Sequence, residues 1–259
     1  MAAVVAGSAA ALAGAPAHTA ARLASSNEPS SSSSASAPEQ VTISDTTPSG
    51  RTVELDSVED ALEAFRKGDF LVVVDDMDRE NEGDLIIAAN RITQQQMAWL
   101  IRHSSGYVCI CLPQRRLAEL DIPMMVEDNK EKHRTAYTIT CDYKHGTTTG
   151  ISAHDRALTA RKLADSSSKA EDFTRPGHLV PLRAVDGGVL VRRGHTEASV
   201  DLCRLAGLPE AGVICELVKP DDPNGGMARR DDCFAFARQW GLKMISIEQL
   251  EQYRREKGL

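Results

Sequence analysis

No surplus of positive charge is present. The 259 residues carry 30 Lys+Arg against 37 Asp+Glu, a formal net charge of -7, which argues against non-specific attraction to nucleic acid or to an anionic membrane surface. No apolar run approaches the ~20 residues that a spanning helix needs, because glycine, proline and charges interrupt each one. Paired metal-knuckle cysteines are missing too. Cys109, Cys111, Cys141, Cys203, Cys215 and Cys233 form no Cys-x-x-Cys pair, so they read as reduced core thiols rather than as a disulfide or zinc framework. There is no internal repeat. Neither a G-x-G-x-x-G nor a G-x-x-x-x-G-K-[ST] fingerprint occurs, which removes the usual support for Rossmann and P-loop nucleotide binding. No nucleic-acid partner and no membrane span are therefore expected.

The chain divides by composition. Residues 1–45 are Ala-rich and then Ser-rich, with Pro29 and Pro38, and read as a disordered extension. Arg22 is its only basic residue besides His18, a faint likeness to an organelle transit peptide without the repeated arginines. The expected location is the reducing cytoplasm, with an organelle as the alternative. Residues 46–259 read as one globular domain. Its first helix is punctuated by a Ser57/Asp60 capping pattern, an apolar stripe of Val58, Ala61, Leu62 and Phe65, and Gly68 as a stop. Strands are predicted at 70–74, 85–89, 107–112, 179–184, 189–193, 213–218 and 242–247. Helices are predicted at 93–102, 152–164, 196–205, 231–240 and 246–255, whereas 113–141 is less regular. The fold class is α/β in a three-layer arrangement, a single domain with a mixed sheet flanked by helices.

An acidic run interrupts this pattern between two apolar strands. In DDMDRENEGD (75–84) the carboxylates Asp76, Asp78, Glu80, Glu82 and Asp84 share alternate positions, and in an extended chain they would project from one face. At ~4 Å each like-charge pair costs about 4 kcal/mol near a protein surface, so a counter-charge is expected. A hard divalent cation or a cationic substrate would supply it. A solvated acidic turn is the plain alternative. An EF-hand loop does not fit, since from Asp76 the only glycine falls at the eighth position instead of the sixth. Arg79 amid the acids favours a site, because a guanidinium can hold a carboxylate and also bind an anionic or polyhydroxylated ligand.

Three further segments carry chemistry. RRGHTE (192–197) runs from a predicted strand into a helix with Thr196 as N-cap, so first-turn amides and Arg192 would face a phosphate. An ordinary strand-to-helix turn is the alternative. RPGH (175–178) and TTTGIS (147–152) pair a histidine or hydroxyls with backbone punctuation. Glu216 sits in the apolar strand VICEL, where it is either a buried acid suited to proton transfer or a solvent-facing edge residue.

Taken in order, DDMDRENEGDLIIAA, TTTGISAHDR, RPGHLVPLRA, RRGHTEASVDL and GVICEL resemble the 3,4-dihydroxy-2-butanone 4-phosphate synthase family from about Val53 onward. The chain looks like the stand-alone form, without the GTP cyclohydrolase II domain to which many relatives are fused. The resemblance implies a lyase of riboflavin biosynthesis that converts D-ribulose 5-phosphate to 3,4-dihydroxy-2-butanone 4-phosphate and formate. It implies Mg²⁺ or Mn²⁺, two ions per active site, in a homodimer. Glu80 and His195 would be the metal ligands. Arg79, Glu80, Asp84, Arg192, Arg193, Gly194, His195, Thr196 and Glu216 would contact the substrate, and His178 and Glu216 would move protons, with Asp76 and Glu82 as helpers. Two other readings stay open: another metal-dependent phosphosugar lyase or isomerase, and a non-catalytic sugar-phosphate-binding module on the same fold.

Overall fold

Four short strands carry almost nothing but aliphatic side chains, and this decides the architecture. They are β3 (Leu71–Val74), β4 (Gly83–Ala88), β5 (Cys109–Pro113) and β8 (Gly212–Glu216). Runs without polar alternation suit strands covered on both faces. Val72, Val74, Leu85, Ile87, Val213 and Cys215 point into one core. Their neighbours Leu71, Val73, Ile86, Ala88 and Ile214 point into another.

The structure, a computed structural model, describes residues 44–46 and 52–259. The expected Ala/Ser-rich extension lies outside these residues up to position 43. A two-stranded antiparallel ribbon, β1 (Ser44–Thr46) with β2 (Thr52–Glu54), precedes the main sheet. That sheet has seven strands in the order β6-β7-β5-β8-β4-β3-β9, completed by β6 (Cys141–Tyr143), β7 (Phe173–Ala184) and β9 (Lys243–Ser246). It is mixed: β3/β9 and β5/β7 run parallel, while β3/β4, β4/β8, β5/β8 and β6/β7 run antiparallel. One face is covered by α2 (Gln94–Arg102), α3 (Gln114–Glu119), α4 (Ala153–Ala164) and α6 (Arg230–Trp240). The other face is covered by α1 (Val58–Lys67), α5 (His195–Leu205) and α7 (Ile247–Lys257). This is the expected three-layer α/β arrangement with a mixed sheet.

Local punctuation works as anticipated at α1. The Ser57 side chain accepts the Asp60 amide, and Gly68 closes the helix in the left-handed region at φ 93°. The predicted strand at 189–193 does not form. Gly187 and Gly188 take φ of 93° and 63°, a 3-10 turn covers Gly188–Leu190, and the buried Asp201 carboxylate accepts the Val189 amide at 2.8 Å. With both glycines left-handed the chain turns back before it can reach a strand partner. The expected 113–141 irregularity contains α3, and β7 begins six residues before its predicted start. Pro176 and Gly177, read as punctuation ahead of the strand, fall inside it. They sit in the irregular stretch of β7 between the Asp142–Thr174 and Cys141–Leu179 pairs, where the register against β6 shifts. A Cβ at Gly177 would run into the Cys141 backbone.

Candidate active site

The acidic segment is folded back on itself, not extended, and an odd-numbered residue organises it. Asp75 is buried at the end of β3. One of its oxygens accepts the Glu80 amide (3.0 Å) and the Arg79 guanidinium (2.8 Å), and the other accepts the Glu82 amide (2.9 Å). The Asp76 carbonyl accepts the amides of Arg79 and Asn81, with Asn81 at φ 54°. The alternating carboxylates therefore do not share a face. Asparagine supplies the left-handed corner that such a turn needs. From α6, Arg229 donates to the carbonyls of Glu80 (2.8 Å) and Asn81 (2.9 Å), and Arg230 donates to that of Asp75 (2.8 Å).

This fold of the loop brings Glu80 to His195. The imidazole is buried at the first turn of α5, its Nε2 lies 3.1 Å from the Val73 carbonyl, and its Nδ1 lies 3.7 Å from both Glu80 and Asp84. The carbonyl accepts the Nε2 proton, which leaves Nδ1 to face the two carboxylates. A histidine ligand has this arrangement when its other nitrogen is anchored to the backbone. Burial opposes charge on His195, but Asp84, Glu80 and Asp75 outweigh it and raise the imidazole to about 9. Glu80 is held down to about 2, because hydrogen bonding and charge from His195 and Arg79 overcome its burial. Asp84 goes the other way. Burial, reinforced by Glu216, Glu80 and Asp75 and opposed by His195, lifts it to about 7.

The donor set suits a hard cation. Asp75, Glu80 and His195 bring ligand atoms within 4.8 Å of one another, and Asp84 Oδ1 is buried with no hydrogen-bond partner among the described residues. An orphaned buried carboxylate oxygen beside a carboxylate and an imidazole is costly unless something else binds there. Asp75 is already engaged by two amides and a guanidinium, whereas Glu80 is met by the Arg79 guanidinium through one oxygen (2.6 Å), so Glu80 and His195 are the more available donors.

Sheet register places the remaining acid and histidine. Asp84 on β4 pairs directly with Glu216 on β8, and the Ser105 hydroxyl donates to Glu216 at 3.0 Å. Cys109 partners both Ile214 of β8 and Val180 of β7, so Glu216 and His178, each two residues away, lie at one level of the sheet on the α5 face. One strand separates them, or about 10 Å. His178 does not join the His195 cluster; its Nδ1 lies 2.6 Å from Asp142, which also accepts the His178 amide at 2.8 Å. The TTTGIS segment packs beside this pair. Asp155 accepts the Thr148 hydroxyl and the Gly150 amide, and a Cβ at Gly150, whose φ is 98°, would strike the Asp142 carboxylate and the His178 ring.

At the RRGHTE turn the helix begins at His195 with Gly194 as N-cap, not at Thr196. Thr196 is buried in the first turn. Arg192 is fixed there by the fully buried Glu197 at 2.6 Å, the His133 carbonyl at 3.2 Å and Thr135 at 3.3 Å. Side-chain bulk at Gly194 would meet the Arg192 guanidinium and the Glu197 carboxylate. Arg193 has different partners from Arg192. Its guanidinium pairs with Asp76 at 3.2 Å and Glu251 at 3.0 Å, an ion-pair bridge between the acidic turn and α7. All six cysteines are buried thiols.

Asp75, Asp142 and Arg229 were not singled out by sequence. Asp75 stood in plain view within the acidic run, but only the folded loop shows it as the brace. Asp142 and Arg229 are 36 and 149 residues from the groups they hold, and no local spacing marks them.

Fold and site together define a class: an α/β domain with a cation-ready carboxylate and imidazole cluster beside a helix N-terminus at one end of its sheet. The family profile of 3,4-dihydroxy-2-butanone 4-phosphate synthase matches residues 59–253, and the chain belongs to that family, whose members are enzymes of riboflavin biosynthesis. A 3,4-dihydroxy-2-butanone 4-phosphate synthase of Schizosaccharomyces pombe is 60% identical over 200 residues, which cover 77% of this chain and 97% of that one. A probable bifunctional riboflavin biosynthesis protein of Oryza sativa subsp. japonica, described as chloroplastic, is 53% identical over 203 residues, 78% of this chain and 37% of its own length. A crystal structure of 3,4-dihydroxy-2-butanone 4-phosphate synthase in complex with two magnesium ions superposes with a TM-score of 0.76 at 50% identity, over 79% of this chain and 99% of that chain.

Proposed function

We propose that this chain is a lyase that converts D-ribulose 5-phosphate to 3,4-dihydroxy-2-butanone 4-phosphate and formate. The observation that carries the reading is the buried Asp84 oxygen that accepts no hydrogen bond and lies 3.7 Å from the His195 Nδ1 that Glu80 also approaches, on the same sheet face as Glu216 and His178. Glu80 and His195 would hold Mg²⁺ or Mn²⁺, two ions as in the magnesium-bound neighbour, with water and substrate oxygens as the remaining ligands. When bound, the cation stabilises negative charge developing on the substrate's oxygens and draws its hydroxyls into line.

The protein's own groups divide the work. Arg79, pinned to Asp75 and Glu80, and the buried Asp84 contact the sugar hydroxyls. Arg192, held rigid by Glu197, and the free first-turn amides of His195 and Thr196 take the phosphate, with Gly194 allowing the close approach. Enolisation, loss of water and departure of C4 as formate each need a proton moved. His178, whose ring is oriented by Asp142, and Glu216, steadied by Ser105, face the substrate from the next strands and are assigned to those transfers. Asp76 and Glu82 are braced to Arg193 and Arg229, which leaves them supporting the loop.

The phosphosugar is the partner; a second copy of the chain is the other, in a homodimer with the site near the interface. Segment 1–45 is read as an extension outside the catalytic domain 46–259, in a cytoplasmic protein. Organellar import is the second reading, favoured by the chloroplastic relative. Glu80→Gln and His195→Ala are each expected to abolish formate release and to leave the circular dichroism spectrum unchanged. Turnover by either variant in excess Mg²⁺ would undo the ligand assignment.

A further inference from the structure

Two loops supply the groups read as the cation's ligands, and one side chain joins them. Arg193 stands two residues before His195, and its guanidinium Nη2 lies 3.2 Å from Asp76 Oδ1 at the head of the acidic turn. Its Nε lies 3.0 Å from Glu251 Oε2 on α7, whose other oxygen is 2.7 Å from Arg255. Asp76 is not a peripheral point of attachment. Its carbonyl accepts the amides of Arg79 and Asn81 on either side of Glu80, so whatever holds Asp76 holds the turn that aims Glu80. Arg193 is thereby ion-paired with both Asp76 and Glu251, whereas Arg192 is bound to Glu197, His133 and Thr135.

We infer that Arg193 is a positioning residue, a strap that fixes the acidic turn to the His195 turn and to α7, and not a ligand of the substrate phosphate. The inference rests on the reading of Glu80 and His195 as the cation-holding pair only for its consequence in catalysis; the strap itself is a property of the two loops. Neighbouring arginines in one turn would thus have separate tasks, Arg192 toward substrate and Arg193 toward the loop. The side chains of Arg193 and Asp76 are 39% and 24% exposed, so the pair is worth the modest amount of a partly solvated ion pair.

The test compares Arg193→Ala, Asp76→Asn and the double variant in the full chain. Three readouts apply: amide hydrogen exchange of Arg79 and Asn81, Mn²⁺ binding followed by the loss of the free-ion EPR signal, and inhibition by inorganic phosphate. Each single variant is expected to speed exchange at the two amides by about two- to fivefold and to weaken Mn²⁺ binding by a similar factor. The double variant is expected to go no further than the larger single one, and Arg193→Lys to recover most of the effect. The inhibition constant for phosphate stays within twofold of the parent in all of them. Unchanged exchange in the single variants, additive effects in the double, or a tenfold rise in the phosphate constant confined to Arg193→Ala would each overturn the strap. Exchange behaving as expected in a protein that releases no formate would leave the strap standing and remove the functional reading.

Discussion

Replacing Asp142 by asparagine removes one negative charge from a site 36 residues in sequence from the histidine it serves. The Asp142 carboxylate accepts the His178 ring proton at 2.6 Å and the His178 amide at 2.8 Å, and the residue is 7% exposed. Asparagine can keep the amide contact through its carbonyl oxygen, but the group then offered to Nδ1 is an NH2, which cannot accept the ring proton. His178 must change tautomer or lose its orientation. A hydrogen bond to a charged partner is worth about 1.5–3 kcal/mol, and at 1.36 kcal/mol per decade that corresponds to a loss of about 10- to 150-fold in turnover. The assay is steady-state formate release at saturating Mg²⁺. The loss should fall on kcat with KM for ribulose 5-phosphate within about twofold, since the phosphate is held elsewhere. A kcat within twofold of the parent, or a loss confined to KM, would refute the assignment of His178 to proton transfer under Asp142's control.

Gly150→Ala forces a side chain into a left-handed residue at φ 98° and against the Asp142 and His178 pair; the backbone strain alone, about 1–2 kcal/mol, should lower Tm by about 2–8 °C, with kcat reduced, and calorimetry checks the first expectation. In the metal-free protein His195 is raised to about 9, so below that pH a cation must displace its proton; Mg²⁺ affinity measured by titration calorimetry should rise from pH 6.5 to 8.5 with proton release, and a flat profile would contradict His195 as ligand. Asp56 accepts the Met244 amide and pairs with Lys243 and Arg238, which together hold it below the ordinary carboxylate value despite burial. Its contribution is therefore present above an unfolded pKa of about 3.9 and is lost as pH falls through the lower folded value. Asp56→Asn should thus lower the urea midpoint at pH 7 and converge on the parent in strong acid. Arg192→Ala removes a phosphate contact shared by ground and transition states, so KM should rise at least tenfold with kcat little changed.

Elements whose rule is local were legible in the sequence. The Ser57 cap, the Val58, Ala61, Leu62 and Phe65 stripe and the Gly68 stop together describe α1 as it stands. The uninterrupted aliphatic runs of β3, β4 and β8 announced strands covered on both faces. Readings failed where a distant contact decides the backbone. Val189 and Val191 have strand character, but Gly187, Gly188 and the Asp201 carboxylate bend that segment into a turn. Pro176 and Gly177 punctuate the sequence ahead of the predicted strand, but β7 runs through them with a register shift against β6.

The site divides in the same way. Glu80, Asp84 and His195 were visible as residue types set in recognisable segments, and the structure brings all three together. The two arginines of RRGH are alike in sequence, and only the position of Asp76 and Glu251 separates Arg193 from Arg192. Braces such as Asp142 and Arg229 act through pairs of hydrogen bonds from segments remote in sequence. Such partners are chosen by the fold, so neither periodicity nor spacing reveals them.

The most direct measurement is the yield of formate and of the four-carbon phosphate from purified protein supplied with D-ribulose 5-phosphate and Mg²⁺, with EDTA in a parallel sample. The account predicts the two products in a one-to-one ratio, abolished by EDTA and restored by excess Mg²⁺ or Mn²⁺. Consumption of ribulose 5-phosphate without formate, or formate released undiminished in EDTA, would contradict it.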